Sequence, residues 1–264
     1  MKKILLTLGG LVVIGASTAV FYSNYYKPKG DVVTPTQGQS DDGIVLATSS
    51  PEKPAEKPIV IDSTPKYKGQ DLNFLASPKE LSGYPKEFVE AQQKKLLGII
   101  KLVNENPKDE TNWIDVGLVK KVFNNYIGAR DVWEYAKLLN PNASMSYSNL
   151  GKLYSGYLSD NKKAEENFLA ALKLDPGISD GYLALAEFYR DFYKEKFDQV
   201  DDVLLAGIKV VPLDLNLHLQ LAFYYKNIGD KENAIKYFEK FLKLPDLTGA
   251  QQKAIEEEVV ALKS

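Results

Sequence analysis

The chain has 264 residues, 33 Lys and Arg against 35 Asp and Glu, and a formal net charge of −2, so no basic excess argues for nucleic-acid binding. It has no cysteine and one histidine, His218, which excludes disulfides, thiolate metal sites, a cysteine nucleophile, an acylated cysteine anchor and any multi-histidine metal centre. The length is enough for one or two domains with a sizeable core.

The first segment, residues 1–26, reads as a membrane anchor or signal. Lys2 and Lys3 open it, and no charge follows until Lys27. The apolar run of residues 4–22 would span about 28 Å as a helix, close to a hydrocarbon core of roughly 30 Å. A cleaved signal would use Ile4–Ile14 as its apolar region and Ser17-Thr18-Ala19 as its cleavage site. An uncleaved anchor would use the whole run, with Tyr25 and Tyr26 at the interface. The favoured expectation is the anchor. It makes the chain a single-pass membrane protein, N-terminus inside and the rest outside; secretion after signal cleavage is the alternative.

Residues 27–85 read as a Pro-rich disordered linker. They hold eight of the 13 prolines, each removing a backbone donor and restricting its predecessor. As a flexible coil the linker would span about 45 Å. Two apolar islands, residues 43–47 and 58–61, interrupt it; they are sticky spots in the tether or segments that dock.

After Pro85 five prolines remain: Pro107, Pro141, Pro176, Pro212 and Pro245, spaced 34, 35, 36 and 33 residues apart. A fixed interval of that size marks a repeat array. Within each interval the apolar pattern gives two helices and a turn. A Trp slot holds Trp113, Tyr147, Tyr182 and His218. A Leu slot holds Val116, Leu150, Leu185 and Leu221, followed by small Gly117, Gly151, Ala186 and Ala222. A Tyr slot holds Lys120, Tyr154, Tyr189 and Tyr225, so the first repeat departs there. The second helix opens with Ala129, Ala164, Val200 and Ala234, and carries Trp133, Phe168, Leu204 and Phe238 one turn on.

This pattern resembles the tetratricopeptide repeat (TPR), and together with the anchor the whole resembles bacterial single-pass membrane proteins that carry such repeats, which implies a bacterial cytoplasmic membrane. The resemblance implies an all-α, TPR-type α-solenoid, a right-handed superhelix of helix pairs. The repeats would occupy 110–143, 144–178, 179–214 and 215–247. A helix at 86–107 with Phe88, Leu96, Ile99, Ile100 and Val103 as its stripe would cap the start, with no helix before it because Pro78 and Pro85 interrupt. A helix at 249–264 would cap the end, with Glu256, Glu257 and Glu258 outward.

The resemblance also implies a concave groove, lined by the first helices, that binds a peptide or protein segment. The candidates are Ile114, Asp115 and Leu118; Ser148, Asn149 and Lys152; Leu183, Glu187 and Arg190; and Leu219, Gln220, Phe223 and Lys226. The Lys/Asn/Arg set that clamps a terminal carboxylate in some members is incomplete: Asn149 fits one slot, but Ile114, Leu118, Asp180 and Ala184 occupy the others, so no such clamp is expected. No nucleophile–base set or phosphate loop appears, so the expected function is that of a membrane-tethered protein-binding scaffold, not an enzyme, with no cofactor, metal or nucleic-acid partner. A self-associating structural module is the alternative.

Overall fold

Proline sets where each helix pair stops. Asn106, Asp175, Asn140 and Val211 each precede one, and all four are forced from helical to extended backbone, with φ of −124° to −140° and ψ of 73° to 89°. The proline carbonyl is then used as a latch. Trp113 Nε1 donates to Pro107 O (3.0 Å), Tyr147 Oη to Pro141 O (3.1 Å), and His218 Nε2 to Pro212 O (2.9 Å). The stop of one pair thereby fixes the start of the next. The single histidine is a buried packing residue in the Trp slot.

This computed structural model describes residues 64–264, which belong to one compact unit. The expected membrane segment and both apolar islands lie outside the described residues. In chain order the helices are α1 (Pro78–Leu81), α2 (Lys86–Glu105), α3 (Glu110–Val122), α4 (Tyr126–Leu139), α5 (Ser144–Gly156), α6 (Asn161–Leu174) and α7 (Ser179–Asp191). A 3-10 turn (Lys194–Gln199) leads into α8 (Val200–Val210), followed by α9 (Leu215–Asn227), α10 (Lys231–Phe241) and α11 (Gly249–Lys263). Among the described residues there is no strand, and no helix is long and apolar enough to cross a membrane.

The pairs α3/α4, α5/α6, α7/α8 and α9/α10 pack as hairpins, and each second helix packs on the next first helix. The result is a TPR-like helix-pair solenoid. Close approach within a pair needs a small residue beneath a large one. A Cβ added at Gly117 would stand 2.2 Å from Trp133 Nε1, and one at Gly151 would stand 2.7 Å from Phe168. Trp133 is fully buried, and its Nε1 donates to the Ile114 carbonyl at 3.0 Å.

The Tyr slot staples neighbouring repeats. Tyr154 Oη donates to Glu134 (3.1 Å), Tyr189 to Glu165 (2.6 Å) and Tyr225 to Asp201 (3.0 Å), each carboxylate on the preceding second helix. Burial and then the adjacent carboxylate push the Tyr154 phenol up to about 12, and the Tyr189 and Tyr225 phenols are raised by the same causes. An acid whose pKa is raised in the folded state contributes stability below its unfolded pKa of about 10 and loses it as pH rises. Helical circular dichroism should therefore stay flat to about pH 10 and fall through about pH 12. A Tyr154→Phe/Tyr189→Phe/Tyr225→Phe variant should show a shallower alkaline transition, with each substitution costing about 1–3 kcal/mol at pH 7. Equal steepness in both proteins would refute the staple.

Two expectations change at the N-terminal end. Residues 64–85 are not part of a disordered linker: Leu75 and Ala76 are buried, and Tyr67, Leu72, Leu81 and Tyr84 pack against the core. Nor do Pro78 and Pro85 prevent a helix before α2. Pro78 sits in the first turn of α1, where its missing N–H costs nothing, and Pro85 is the N-cap residue of α2. The segment lies as a strap over α3 and α4. Tyr135 Oη donates to Pro65 O (2.5 Å), Gln70 N to Asp131 (2.9 Å), and Asn125 Nδ2 to Gln70 Oε1 (2.7 Å) and Leu75 O (3.0 Å). Lys120, the odd residue in the Tyr slot, is buried and donates to the carbonyls of Asp71 (3.0 Å) and Phe74 (2.5 Å).

Candidate partner-binding groove

The first helices α3, α5, α7 and α9 carry the candidate groove residues, and the two end helices decide how many are accessible. At the first repeat the groove is closed. Ile114 is 3% exposed, a core residue and not a groove residue. The reason is its position at the end of the array, where α2 packs on α3. Asp115 is half-buried; burial pushes its carboxyl up, Lys95 of α2 pulls it down and Asp109 pushes it up again. Leu118 packs partly buried against the core.

The second repeat is open. Ser148 and Asn149 are half-buried and Lys152 is exposed. In the third, Leu183 packs against the core and Glu187 is exposed. Arg190 donates from Nε (2.9 Å) and Nη2 (2.7 Å) to the Asp191 carboxylate, and from Nη1 to Gln220 Oε1 at 3.3 Å. These bonds to Arg190 hold the Asp191 carboxyl below the usual range, and the Gln220 contact ties the third repeat to the fourth.

The fourth repeat is partly closed by α11. Lys226 pairs with Glu258 at 2.5 Å, so of the three glutamates expected to face outward only Glu256 and Glu257 are exposed. Phe223 stands edge-on to Phe238, centroids 5.1 Å apart, and Leu219 is half-buried. The accessible stretch therefore runs from Ser148, Asn149 and Lys152 past Glu187 to Gln220. Its lining is polar and of mixed sign. Hydrogen-bonding amides and isolated charges on rigid helices can orient a peptide backbone and select its side chains. Among the described residues no three His, Asp or Glu converge as metal ligands.

Two features escaped the pattern of residues. One is the Lys120 lock on the strap, signalled only by a lysine in a tyrosine slot. The other is Lys121, half-buried with its Nζ 5.2 Å above the ring of Tyr157.

Residues 146–178 and 215–245 match the tetratricopeptide repeat family model. No curated protein matches the chain. Among solved structures the chain is similar to PilW, described as a widely conserved type IV pilus biogenesis factor, at 17% identity and a TM-score of 0.50, over 67% of this chain and 81% of that one. It is similar to YrrB, described as a TPR protein with an unusual peptide-binding site, at 19% identity and a TM-score of 0.46, over 62% and 83%. A tetratricopeptide repeat protein from Parabacteroides merdae ATCC 43184 is 17% identical with a TM-score of 0.47, over 67% and 68%. The likeness to PilW is one of fold.

Proposed function

We propose that the chain is a membrane-tethered scaffold that binds a protein segment along the first-helix face of repeats two to four. The observation that carries this is the accessible polar stretch from Ser148 to Gln220, left open between two end helices that close the rest of the face. Rigid helices present these side chains in a fixed array, which lowers the entropy cost of ordering a ligand. The tether rests on sequence: the uncharged run of residues 4–22 between Lys3 and Lys27. Under this reading the N-terminus lies in the cytoplasm of a bacterial cell and the repeats lie outside it.

Two measurements test it. Protease added to spheroplasts should degrade the repeats while the protein stays in the membrane fraction after alkaline wash; protection of the repeats or release by the wash would reject the proposed topology. Partner recovery by the membrane-embedded protein should fall at least about tenfold in an Asn149→Glu/Glu187→Lys variant. Glu187 is exposed and Asn149 half-buried, so stability should move by about 1 kcal/mol or less. Undiminished recovery of every partner would reject the groove.

A further inference from the structure

A second surface lies at the edge of the solenoid, where the first helices end. The C-cap residues of α3, α5, α7 and α9 are Phe123, Tyr157, Phe192 and Ile228. Each stands ten residues after its Trp slot, so the solenoid brings all four to one edge, about 10 Å apart from repeat to repeat. All four are apolar or aromatic at a position where a solvated turn would take a polar residue.

The first of these rungs is covered and the other three are not. Phe123 is fully buried because the N-terminal segment lays the Tyr84 ring (4.9 Å between centroids) and the Phe88 ring (5.7 Å) over it. Tyr157, Phe192 and Ile228 are 47%, 46% and 46% exposed. Val122 and Ile127 are exposed beside the junction of the first two rungs, and Tyr126 stacks on Tyr157 at 4.3 Å. The molecule therefore shows, on its own first rung, how an aromatic-bearing segment sits on this edge, and the apolar surface continues past the point where that segment ends.

A lysine sits on the second rung. Lys121 sits over the Tyr157 ring, and its influential charged neighbour is a second lysine, Lys152; burial and then that like charge hold its ammonium below the usual lysine range. Among the described residues neither lysine has a carboxylate partner. The dipole of α3 accounts for a basic residue in its last turn. It does not account for the charge of Lys152 acting on Lys121 with no carboxylate paired to either.

We propose that this edge docks a protein segment carrying aromatic or aliphatic side chains next to a carboxylate. The carboxylate sits between Lys121 and Lys152, and the apolar side chains cover Tyr157 and Phe192 as Tyr84 and Phe88 cover Phe123. A protein segment is favoured over an anionic membrane surface because two free lysines fall short of the roughly four to eight that such recognition uses. This surface meets the groove at Lys152, and its apolar rungs, Tyr157 and Phe192, lie outside the groove residues.

The test uses the full chain in nanodiscs of neutral lipid, against a displayed library of random 12-residue peptides, about one strand-length per two or three rungs. Selected peptides should be rich in Asp or Glu beside Phe, Tyr or Trp. Their binding should weaken at least about tenfold in Tyr157→Ser and in Lys121→Glu, each checked for an unchanged melting temperature, and should be unaffected by Glu187→Lys alone, which leaves the helix of Lys152 untouched. Peptides that respond only to Glu187→Lys would overturn this inference and leave the groove standing. Selected peptides without the acidic–aromatic pairing, or with no response to Tyr157→Ser, would also overturn it. So would Lys121→Glu-sensitive binding of phosphatidylglycerol vesicles in place of peptides.

Discussion

Trp133→Ala should lower the unfolding free energy by about 3–5 kcal/mol, among the largest effects of any single substitution in the chain. Among the described residues Trp133 is the largest fully buried side chain, and it lies directly on Gly117, whose missing Cβ makes room for it. Truncation removes the ring, leaves the Ile114 carbonyl without the indole donor and opens a cavity between α3 and α4. The fourth repeat fills the same two slots with Ala222 and Phe238. Gly117→Ala alone should cost about 1–3 kcal/mol by overpacking, and Trp133→Phe alone should leave a void. Together they recreate the pair of the fourth repeat, so the double variant should be more stable than the sum of the singles by about 0.5–3 kcal/mol. Urea denaturation of the four proteins measures this, and strict additivity would show that the two residues are not packed as described. In the Ala variant the fluorescence of Trp113 should report loss of the first repeat at lower urea than circular dichroism reports loss of the array, because a repeat array unfolds by neighbouring units.

The array was legible in the sequence because the period is enforced by chemistry that sequence records. Proline stops, small-under-large pairs and the Tyr slot each follow from residue type at fixed spacing. Where residues depart from their slots the helix pair is still present, and the family model does not match it. The matched stretches, 146–178 and 215–245, lie in the repeats that keep Ala164 with Phe168 and Ala234 with Phe238. The first repeat has Lys120 for tyrosine, and the third has Val200 and Leu204, with a 3-10 turn before α8.

The ends were the least legible. A proline-rich segment reads as unstructured because its own backbone donors are scarce, yet the strap is ordered by donors from elsewhere: Lys120, Asn125 and Tyr135 reach its carbonyls. Such bonds join residues about 50–70 positions apart. No local pattern announces them. Ile114 failed for a related reason. Its register is that of a groove residue, but in the first repeat the neighbouring helix is α2, and it covers that part of α3. Of the groove, the register of the candidates came from the repeat; which of them stay open came from the end helices.

Lys120→Ala should cost about 2–4 kcal/mol and release the strap, combining lost hydrogen bonds from a charged donor with the cavity left by a long buried stem. In the other repeats a tyrosine at this slot donates one bond to a carboxylate on the preceding second helix. At the start of the array the acceptors are two strap carbonyls, and an amine can donate to both where a phenol donates to one. Lys120→Tyr should therefore fail to restore stability. Release should be visible as faster tryptic cleavage at Lys66 and Lys68, which flank the Tyr67 contact with Trp113 and Tyr135. The lock also has a pH signature. Burial lowers the Lys120 amine to about 8, against the opposing pull of Asp71 and Asp131. A base whose pKa is lowered on folding binds fewer protons in the native state between about 8 and its unfolded value near 10.4, so native stability rises with pH across that window. The neutral amine still carries enough N–H groups to hold both carbonyls, so the strap should be held more firmly at pH 9.5 than at pH 7. The melting temperature of the parent protein should therefore gain on that of Lys120→Met between these pH values, before the tyrosine staples begin to ionise. A constant difference between the two proteins, or unchanged tryptic cleavage in Lys120→Ala, would rule out the lock.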